Sequence, residues 1–191
     1  MLPQITTDLS SVQIWDNLLD DRFLLDLDQE SNYYNWHLSN VANKKSYPTG
    51  QKGSHLLWGV TFNSENCPEN IINFYQYLSD YILKEKYKLE FIQLNGQSMG
   101  QNGTVHVDNS YNDGKKTLMV FINSKWKSKW GGDFQLLEEY NDNAKIIKSI
   151  KYVPGRVILF DGNIPHRGLS PTKSNIFRKS LVYRLTKNNP K

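Results

Sequence analysis

The segment GTVHVDNS at residues 103–110 places two side chains that can ligate a metal ion two positions apart. Side chains at i and i+2 lie on the same face of an extended strand, so His106 and Asp108 are predicted to point to one spot while Val107 faces away. The pair alone also fits a strand that ends in a polar turn. A third ligand is needed to decide between the two interpretations.

The other histidines are at positions 37, 55 and 166. His166 lies in FDGNIPHRGLS, within the same β-rich half of the chain as His106. Antiparallel strands of a small barrel can bring the two together, which gives two imidazoles and one carboxylate on one face of a metal. This set leaves coordination positions open and is associated with non-haem Fe(II) oxygenases. For His37 and His55 we expect a position on the surface or in a substrate loop.

The segment RKSLVYRL at residues 178–185 carries a second candidate site. Strand alternation predicts that Arg178, Ser180, Val182 and Arg184 share one face and that Lys179 points the other way. A dicarboxylate co-substrate needs a cation at the far end of its pocket, and an arginine beside a hydroxyl meets that need. The alternative is an arginine on a solvated final strand.

Four segments occur in the order NGQSMGQNGTVHVDN, LMVFINSKWKSKWGGDFQLLE, VPGRVILFDGNIPHRGLSPT and RKSLVYRL. Together they resemble the Fe(II)- and 2-oxoglutarate-dependent dioxygenases, and within them the prolyl-4-hydroxylase-like group. The resemblance covers about the last hundred residues. It rests on the ensemble: His-X-Asp, a Trp-Gly-Gly-acid step, a Pro-Gly-Arg run that reaches a distal histidine, and an arginine soon after.

The resemblance implies that His106, Asp108 and His166 bind iron and that Arg178 holds the side-chain carboxylate of 2-oxoglutarate with help from Ser180. It further implies an oxidoreductase that uses O2 and 2-oxoglutarate, releases succinate and CO2, and hydroxylates a prolyl residue in a peptide or protein. Ascorbate is the reductant expected for such an enzyme.

Two features depart from the family pattern. Many relatives have a tyrosine on the first barrel strand that touches 2-oxoglutarate, whereas this chain reads FIQLN there, so Gln93 or Asn95 is expected to supply that polar contact. Lysines in SKWKSKW stand where some relatives have acidic residues, which bears on the charge of the preferred substrate. For Asp161 we expect a role in a structural turn.

Four aromatic residues of the N-terminal half are the candidates for substrate binding. Tyr33, Tyr34, Trp36 and Trp58 would form a groove for a proline-containing peptide, because a proline ring packs well on aromatic faces. Packing in the core is the alternative for each of them.

The pattern along the chain predicts one domain that is mainly β with flanking helices (α+β), and the resemblance implies a double-stranded β-helix core, which is a jelly roll of the cupin-like kind. Residues 1–88 are expected to form a helical and irregular support and substrate region, and residues 89–187 the core. The support includes a strand and then a helix capped by Asp20 or Asp21, an irregular segment at 31–55, and a helix at 67–87 with a stripe of Ile71, Phe74, Tyr75, Leu78, Tyr81 and Ile82. Eight strand candidates follow, from LEFIQLN to RKSLVYRL.

Composition narrows the class of protein. The hydrophobic content of 38% predicts a packed globular chain, and a single cysteine, Cys67, excludes an internal disulfide and any site built from several cysteines. The first residues lack a secretory pattern and no segment is long and apolar enough to cross a bilayer, so we expect a cytoplasmic protein with no membrane partner. Oligomeric state is left open.

Three other functions compete with the prolyl hydroxylase. An AlkB-like nucleic-acid demethylase is the nearest, because Arg178 and Arg184 reproduce an Arg-x5-Arg spacing, and the net charge of +4 and SKWKSKW would suit nucleic acid. A catalytically silent double-stranded β-helix that only binds a partner or metal is the second. A zinc hydrolase is disfavoured because no positioned general base accompanies the triad.

Overall fold

A computed structural model describes residues 9–40, 56–63, 66–83, 87–109 and 114–187. Two α-helices and ten strands occur in this part of the chain, together with single 3-10 turns at Leu9–Ser11, Ser31–Tyr33 and Ser128–Trp130. In chain order they are β1 (Gln13–Trp15), α1 (Asp21–Glu30), β2 (His37–Asn40), β3 (Leu57–Phe62), α2 (Glu69–Ile82), β4 (Tyr87–Gln97), β5 (Lys116–Phe121), β6 (Phe134–Leu137), β7 (Ile146–Ile150), β8 (Val157–Asp161), β9 (His166–Gly168) and β10 (Arg178–Lys187).

The strands form two antiparallel sheets. The larger has the order β1-β8-β5-β10-β4-β3-β2 and the smaller has the order β7-β6-β9. Two such sheets facing each other make the jelly roll that the sequence predicts. Neither described helix is long and apolar enough to span a bilayer.

Strand alternation divides the large sheet into two buried faces. On β5, Leu118 and Val120 pack toward the helices, while Met119 and Phe121 pack between the sheets. The helix side is completed by the apolar stripe of α2, and the inner side by Phe134 of β6. We call the face between the two sheets the concave face and the face covered by the helices the convex face. The candidate functional residues lie on the concave face, and the helices pack on the convex one.

The first helix is fastened to the strand that carries the candidate anchor. Asp20 caps α1 by accepting hydrogen bonds from the amides of Arg22 and Phe23. At the other end of α1, Asp28 forms an ion pair of 2.6 Å with Lys179, whose side chain is only 3% exposed. Lys179 therefore points away from the concave face, as alternation predicts.

Several boundaries differ from those the sequence predicts. GTVHV is not a strand but makes one isolated bridge, between His106 and His166, and a further hydrogen bond from the Gly103 amide to the Gly168 carbonyl. The segment 31–55 is not wholly irregular, since it contains β2; residues 41–55, including His55, lie outside the described residues. The second helix is shorter than predicted, and Tyr81 is 69% exposed rather than part of its buried stripe.

The segment SKWKSKW lies between β5 and β6 and ends in the 3-10 turn Ser128–Trp130. Trp126 packs against the inner core, 4.2 Å from the Tyr152 ring, and donates its indole N–H to the carbonyl of Gly131. Trp130 is flanked by the ammonium groups of Lys127 and Lys173. Trp126 thus caps the inner core rather than standing free for a partner.

We predict that Asp28→Ala lowers the free energy of unfolding by about 3–5 kcal/mol, because it leaves the buried ammonium of Lys179 without its counter-charge. Urea denaturation monitored by circular dichroism measures the change. Asp26→Ala, on an exposed position of the same helix, is the control and should shift the midpoint little. Equal midpoints for the two variants would contradict a stabilising role for the ion pair.

Candidate metal centre

Three side chains that can ligate a metal converge at one end of the concave face. The Nε2 atoms of His106 and His166 lie 3.5 and 3.4 Å from Oδ1 of Asp108. The candidate ligand atoms are all within 4.8 Å of one another, a separation that a single ion can bridge. The structure therefore brings together the three residues that the sequence singles out.

Backbone hydrogen bonds hold the two ligand-bearing segments side by side. His106 and His166 exchange N–H···O bonds of 3.0 and 2.9 Å, and the amide of Asp108 donates to the carbonyl of Gly162 at 2.7 Å. A Cβ at Gly162 would come within 2.1 Å of the side-chain amide of Asn109, so a larger residue there would displace that side chain. His106 and Asp108 are positioned by this docking rather than by a regular strand, whereas His166 begins β9.

A hydrogen bond at Nδ1, the ring nitrogen that faces away from the centre, orients each imidazole. Nδ1 of His106 lies 3.0 Å from the carbonyl oxygen of Thr104, and Nδ1 of His166 lies 2.7 Å from that of Ile164. A carbonyl only accepts hydrogen bonds, so both Nδ1 atoms carry the proton and both Nε2 lone pairs face the centre. Burial lowers the pKa of His106 and lowers that of His166 to about 4, so both rings are neutral at neutral pH.

The two oxygens of Asp108 have different surroundings. Oδ2 accepts a 2.5 Å hydrogen bond from Thr117 Oγ1 and is paired with Nη1 of Arg184, which also donates to Thr117 at 3.2 Å. Oδ1 is buried, has no hydrogen-bond partner among the described residues, and faces the two imidazoles. An orphaned carboxylate oxygen between two Nε2 lone pairs is suited to a divalent cation.

A cavity of about 220 Å³ extends from this centre along the concave face. Four residues of β10, Arg178, Ser180, Val182 and Arg184, line it, as strand alternation predicts. Arg184 lies at the metal end. Arg178, only 2% exposed, closes the far end.

Arg178 is held in place with one group unused. Its Nε donates to the carbonyl of Gly132 at 2.9 Å and its Nη1 to Gln97 Oε1 at 2.9 Å. Nη2 is buried and has no hydrogen-bond partner among the described residues. Burial lowers the pKa of Arg178 to about 10, so the guanidinium stays charged at neutral pH. It therefore presents a free charged N–H group to an anion.

The space in front of Arg178 is kept open by a glycine. A Cβ at Gly168 would lie 3.1 Å from Gln97 Oε1 and 3.6 Å from both Nη atoms of Arg178. Any larger side chain would cover the guanidinium. Gly168 follows His166 by two residues on β9, so the anion cradle adjoins the metal ligands. The pocket thus fits a short dianion with one end at the metal and the other at Arg178.

The remaining predicted residues divide into two groups. Gln93 and Asn95 line the cavity on β4, as an amide contact to the co-substrate requires. The four aromatic candidates do not line it. Tyr34 and Trp36 pack on the convex-side core, and Trp58 shares its strand face with buried Val60 and Phe62. Tyr33 is 88% exposed.

Sequence reasoning missed three residues of the site. Thr117 lies in a strand that reads only as an apolar run, Gln97 follows the expected end of β4, and Gly168 lies within a short strand. Gln97 could have been found from its spacing, because it lies two residues after Asn95 and so shares its strand face.

Asp161 pairs with Lys116 at 2.5 Å, at the end of β8 where the chain enters a turn.

Residues 92–184 match the family model described as the 2OG-Fe(II) oxygenase superfamily. No curated protein matches the chain in sequence.

Solved structures resemble the fold over nearly the whole chain. A prolyl hydroxylase from Trichoplax adhaerens in complex with a hypoxia inducible factor peptide fragment is 17% identical, with a TM-score of 0.67 over 93% of this chain and 84% of that one. The viral collagen prolyl hydroxylase of Paramecium Bursaria Chlorella virus-1, a 2OG complex, is 18% identical, with a TM-score of 0.63 over 94% and 97%. The epimerase SnoN from nogalamycin biosynthesis is 9% identical, with a TM-score of 0.66 over 93% and 78%. At these identities the likeness establishes the fold.

We predict that Thr117→Val weakens divalent metal binding by about 10–100-fold, because it removes a hydrogen bond that orients the Asp108 carboxylate. Calorimetric titration of the metal-free protein with Mn(II) measures the affinity. Thr61→Val, at an exposed position of β3, is the control and should bind Mn(II) like the unmodified protein. An affinity unchanged by Thr117→Val would mean that Arg184 alone orients the carboxylate.

Proposed function

We propose that this protein, whose residues 92–184 match the model of the 2OG-Fe(II) oxygenase superfamily, is an oxygenase of that kind that hydroxylates a prolyl residue in a peptide or protein. The proposal covers Fe(II) held by His106, Asp108 and His166, and 2-oxoglutarate held by Arg178. Succinate and CO2 are the co-products, ascorbate is the reductant, and the cytoplasm is the proposed location.

One observation carries the oxygenase part of the proposal: two orphaned polar atoms lie in one cavity. Oδ1 of Asp108 lacks a partner at the metal end, and Nη2 of Arg178 lacks one at the other. A cation and a dicarboxylate would satisfy both atoms at once, whereas a buried polar atom without a partner costs free energy. A binding module without catalysis would have no need for both.

The chain's own residues bind and orient in this proposal. When bound, Fe(II) and 2-oxoglutarate would activate O2, which is the oxidant and supplies the oxygen atom inserted into a C–H bond. The two neutral imidazoles and Asp108 Oδ1 offer three ligands, and Arg178 fixes the distal carboxylate. Ser180 contributes a hydroxyl beside that carboxylate, and the amides of Gln93 and Asn95 contact the same molecule from β4. Phe134 and Phe160 pack beside His166 and exclude water from it.

Two observations support a prolyl substrate. Solved structures of similar fold include prolyl hydroxylases, one of them bound to a peptide fragment. The cavity of about 220 Å³ is also below the roughly 300–1,000 Å³ of pockets that enclose a drug-sized ligand. It accommodates the co-substrate and one short side chain, while the rest of a peptide would stay outside.

Oxidative demethylation of nucleic acid is the second candidate, and one contact favours it. Arg178 and Arg184 both line the cavity, as the Arg-x5-Arg spacing of the AlkB-like branch requires, and Arg184 is paired with Asp108. Succinate release from proline-containing peptides, compared with release from methylated oligonucleotides, separates the two candidates. Stimulation by the oligonucleotide alone would favour demethylation over prolyl hydroxylation.

We predict that anaerobic addition of Fe(II) and 2-oxoglutarate produces a visible charge-transfer band and that His106→Ala abolishes it. The variant removes one of three ligands, so the chelate cannot form at comparable metal concentration. His37→Ala, an exposed histidine on β2, is the matched control and should keep the band. Absence of the band from the unmodified protein, or its survival in His106→Ala, would overturn the oxygenase proposal.

We predict that Arg178→Ala weakens 2-oxoglutarate binding by about 2–5 kcal/mol, because it removes a desolvated charge partner of the carboxylate. Gly168→Val should weaken it as well by covering the guanidinium. Titration of the anaerobic Fe(II) protein with 2-oxoglutarate, followed by the same band, measures both. Arg22→Ala, on the exposed face of α1, is the control. An unchanged affinity in Arg178→Ala would move the anchor to Arg184.

A further inference from the structure

The cavity contains a second cationic side chain, Arg184, which is not needed to bind 2-oxoglutarate because Arg178 has that role. It lies six residues after Arg178 on β10, which at about 3.3 Å per residue separates the two Cα atoms by about 20 Å. Its side chain is 22% exposed, whereas that of Asp108 is 1% exposed. Arg184 therefore lies at the metal end and reaches the accessible part of the cavity.

Only part of the Arg184 guanidinium is engaged. Nη1 contacts Asp108 and Thr117, while Nε and Nη2 have no hydrogen-bond partner among the described residues. Arginine has five N–H donors in a fixed planar fork. The side away from Asp108 is thus available to a planar anion such as a carboxylate.

Apart from Asp108, the acidic side chains near Arg184 are already paired with lysines. Glu90, which precedes the residue paired with Arg184 on β4, is bridged to Lys115 at 3.1 Å. Asp161 at the end of β8 is bridged to Lys116 at 2.5 Å. In the described part of the chain, the charged lining of the cavity is therefore Asp108, Arg178 and Arg184, apart from the two neutral histidines.

The loaded site would keep one excess positive charge. A divalent metal and the 2-oxoglutarate dianion balance each other, and Asp108 balances one arginine. The remaining formal charge of one unit lies on the two arginines. Arg178 is covered by the co-substrate, whereas Arg184 is partly exposed. Because an uncompensated charge in a partly buried site is costly, the site favours a primary substrate that brings one negative charge.

We propose that Arg184 determines specificity by binding a carboxylate of the primary substrate next to the carbon that is oxidised. This inference rests on the proposed oxygenase function and narrows its substrate class. The carboxylate has two sources, an acidic side chain adjacent to the target residue in a peptide or the terminal carboxylate of an amino acid or short peptide. The chemistry at Arg184 is the same for both.

The test uses matched probes on the full chain loaded with Zn(II) and 2-oxoglutarate, which allows binding without turnover. Acetyl-Gly-Asp-Pro-Gly-amide and its Asn counterpart probe a side-chain carboxylate, as do peptides with the acidic residue after proline. Acetyl-proline and acetyl-prolinamide probe a terminal carboxylate. In at least one pair the acidic probe should bind about tenfold or more tightly than the neutral one, as a charge-assisted hydrogen bond implies.

Variants assign the preference to Arg184. The acidic-to-neutral affinity ratio should fall to about one in Arg184→Gln, which keeps an N–H donor without the charge, and should partly persist in Arg184→Lys. Lys88→Gln, at an exposed position of β4, should keep the full ratio. The ratio is internal to each variant, so a general loss of affinity does not alter its meaning.

The outcomes separate this inference from the proposed function. Equal binding of acidic and neutral probes in every pair, by a protein that forms the Fe(II)–2-oxoglutarate band, overturns the role of Arg184 alone. A preference that survives in Arg184→Gln overturns it too. Absence of the band overturns the oxygenase function on which the inference rests. If Arg184→Gln no longer binds metal, the ratios in the unmodified protein and in Arg184→Lys decide.

Discussion

The division of labour between the two oxygens of Asp108 is the interaction on which the rest of the site depends. One oxygen is bound by Thr117 of β5 and Arg184 of β10, which fixes the carboxylate plane. The other is left to face two imidazoles whose Nδ1 protons are held by backbone carbonyls. The metal centre is therefore preorganised by groups that do not themselves touch the metal, so little ordering cost remains when a cation binds.

Strand β10 connects this centre to the remainder of the protein. Its inward residues include Arg178 and Arg184, one at each end of the cavity, and its outward Lys179 is bound to Asp28 of α1. Gln97 joins β4 to the same system, because its side chain accepts from Arg178 and donates to the carbonyl of Gly168 on β9. The metal ligands, the anion anchor and the supporting helix thus share one rigid frame.

The sequence predicts that His106 and Asp108 share a face, and predicts the inward face of β10, because period-2 alternation is a local property. The roles of His166 as third ligand and of Arg178 as anchor rest on the family resemblance. The sequence predicts α1 with a cap at Asp20 or Asp21, and the structure selects Asp20. The jelly roll is expected from the succession of strand candidates and from the family resemblance. The sequence does not predict that GTVHV forms a single bridge, since this depends on the approach of residues 162–168, which are distant in the chain. Thr117 and Gln97 acquire their roles only through partners distant in the chain, so no local pattern indicates them.

The positions of the aromatic residues in the N-terminal half change which residues we expect to determine substrate specificity. Tyr34 donates to Glu30 and packs edge-on against Phe62, and Trp36 packs against Phe177, so both rings already have structural partners. Among the described residues, the polar cavity lining that is only partly buried includes Gln93 and Arg184. A ring packed on aromatic residues would be recognised by shape, whereas this lining offers an amide and a charge. Selection by charge next to the reacting carbon follows from that composition, because a guanidinium in a partly buried site discriminates a carboxylate from an amide more strongly than a flat apolar surface discriminates one ring from another.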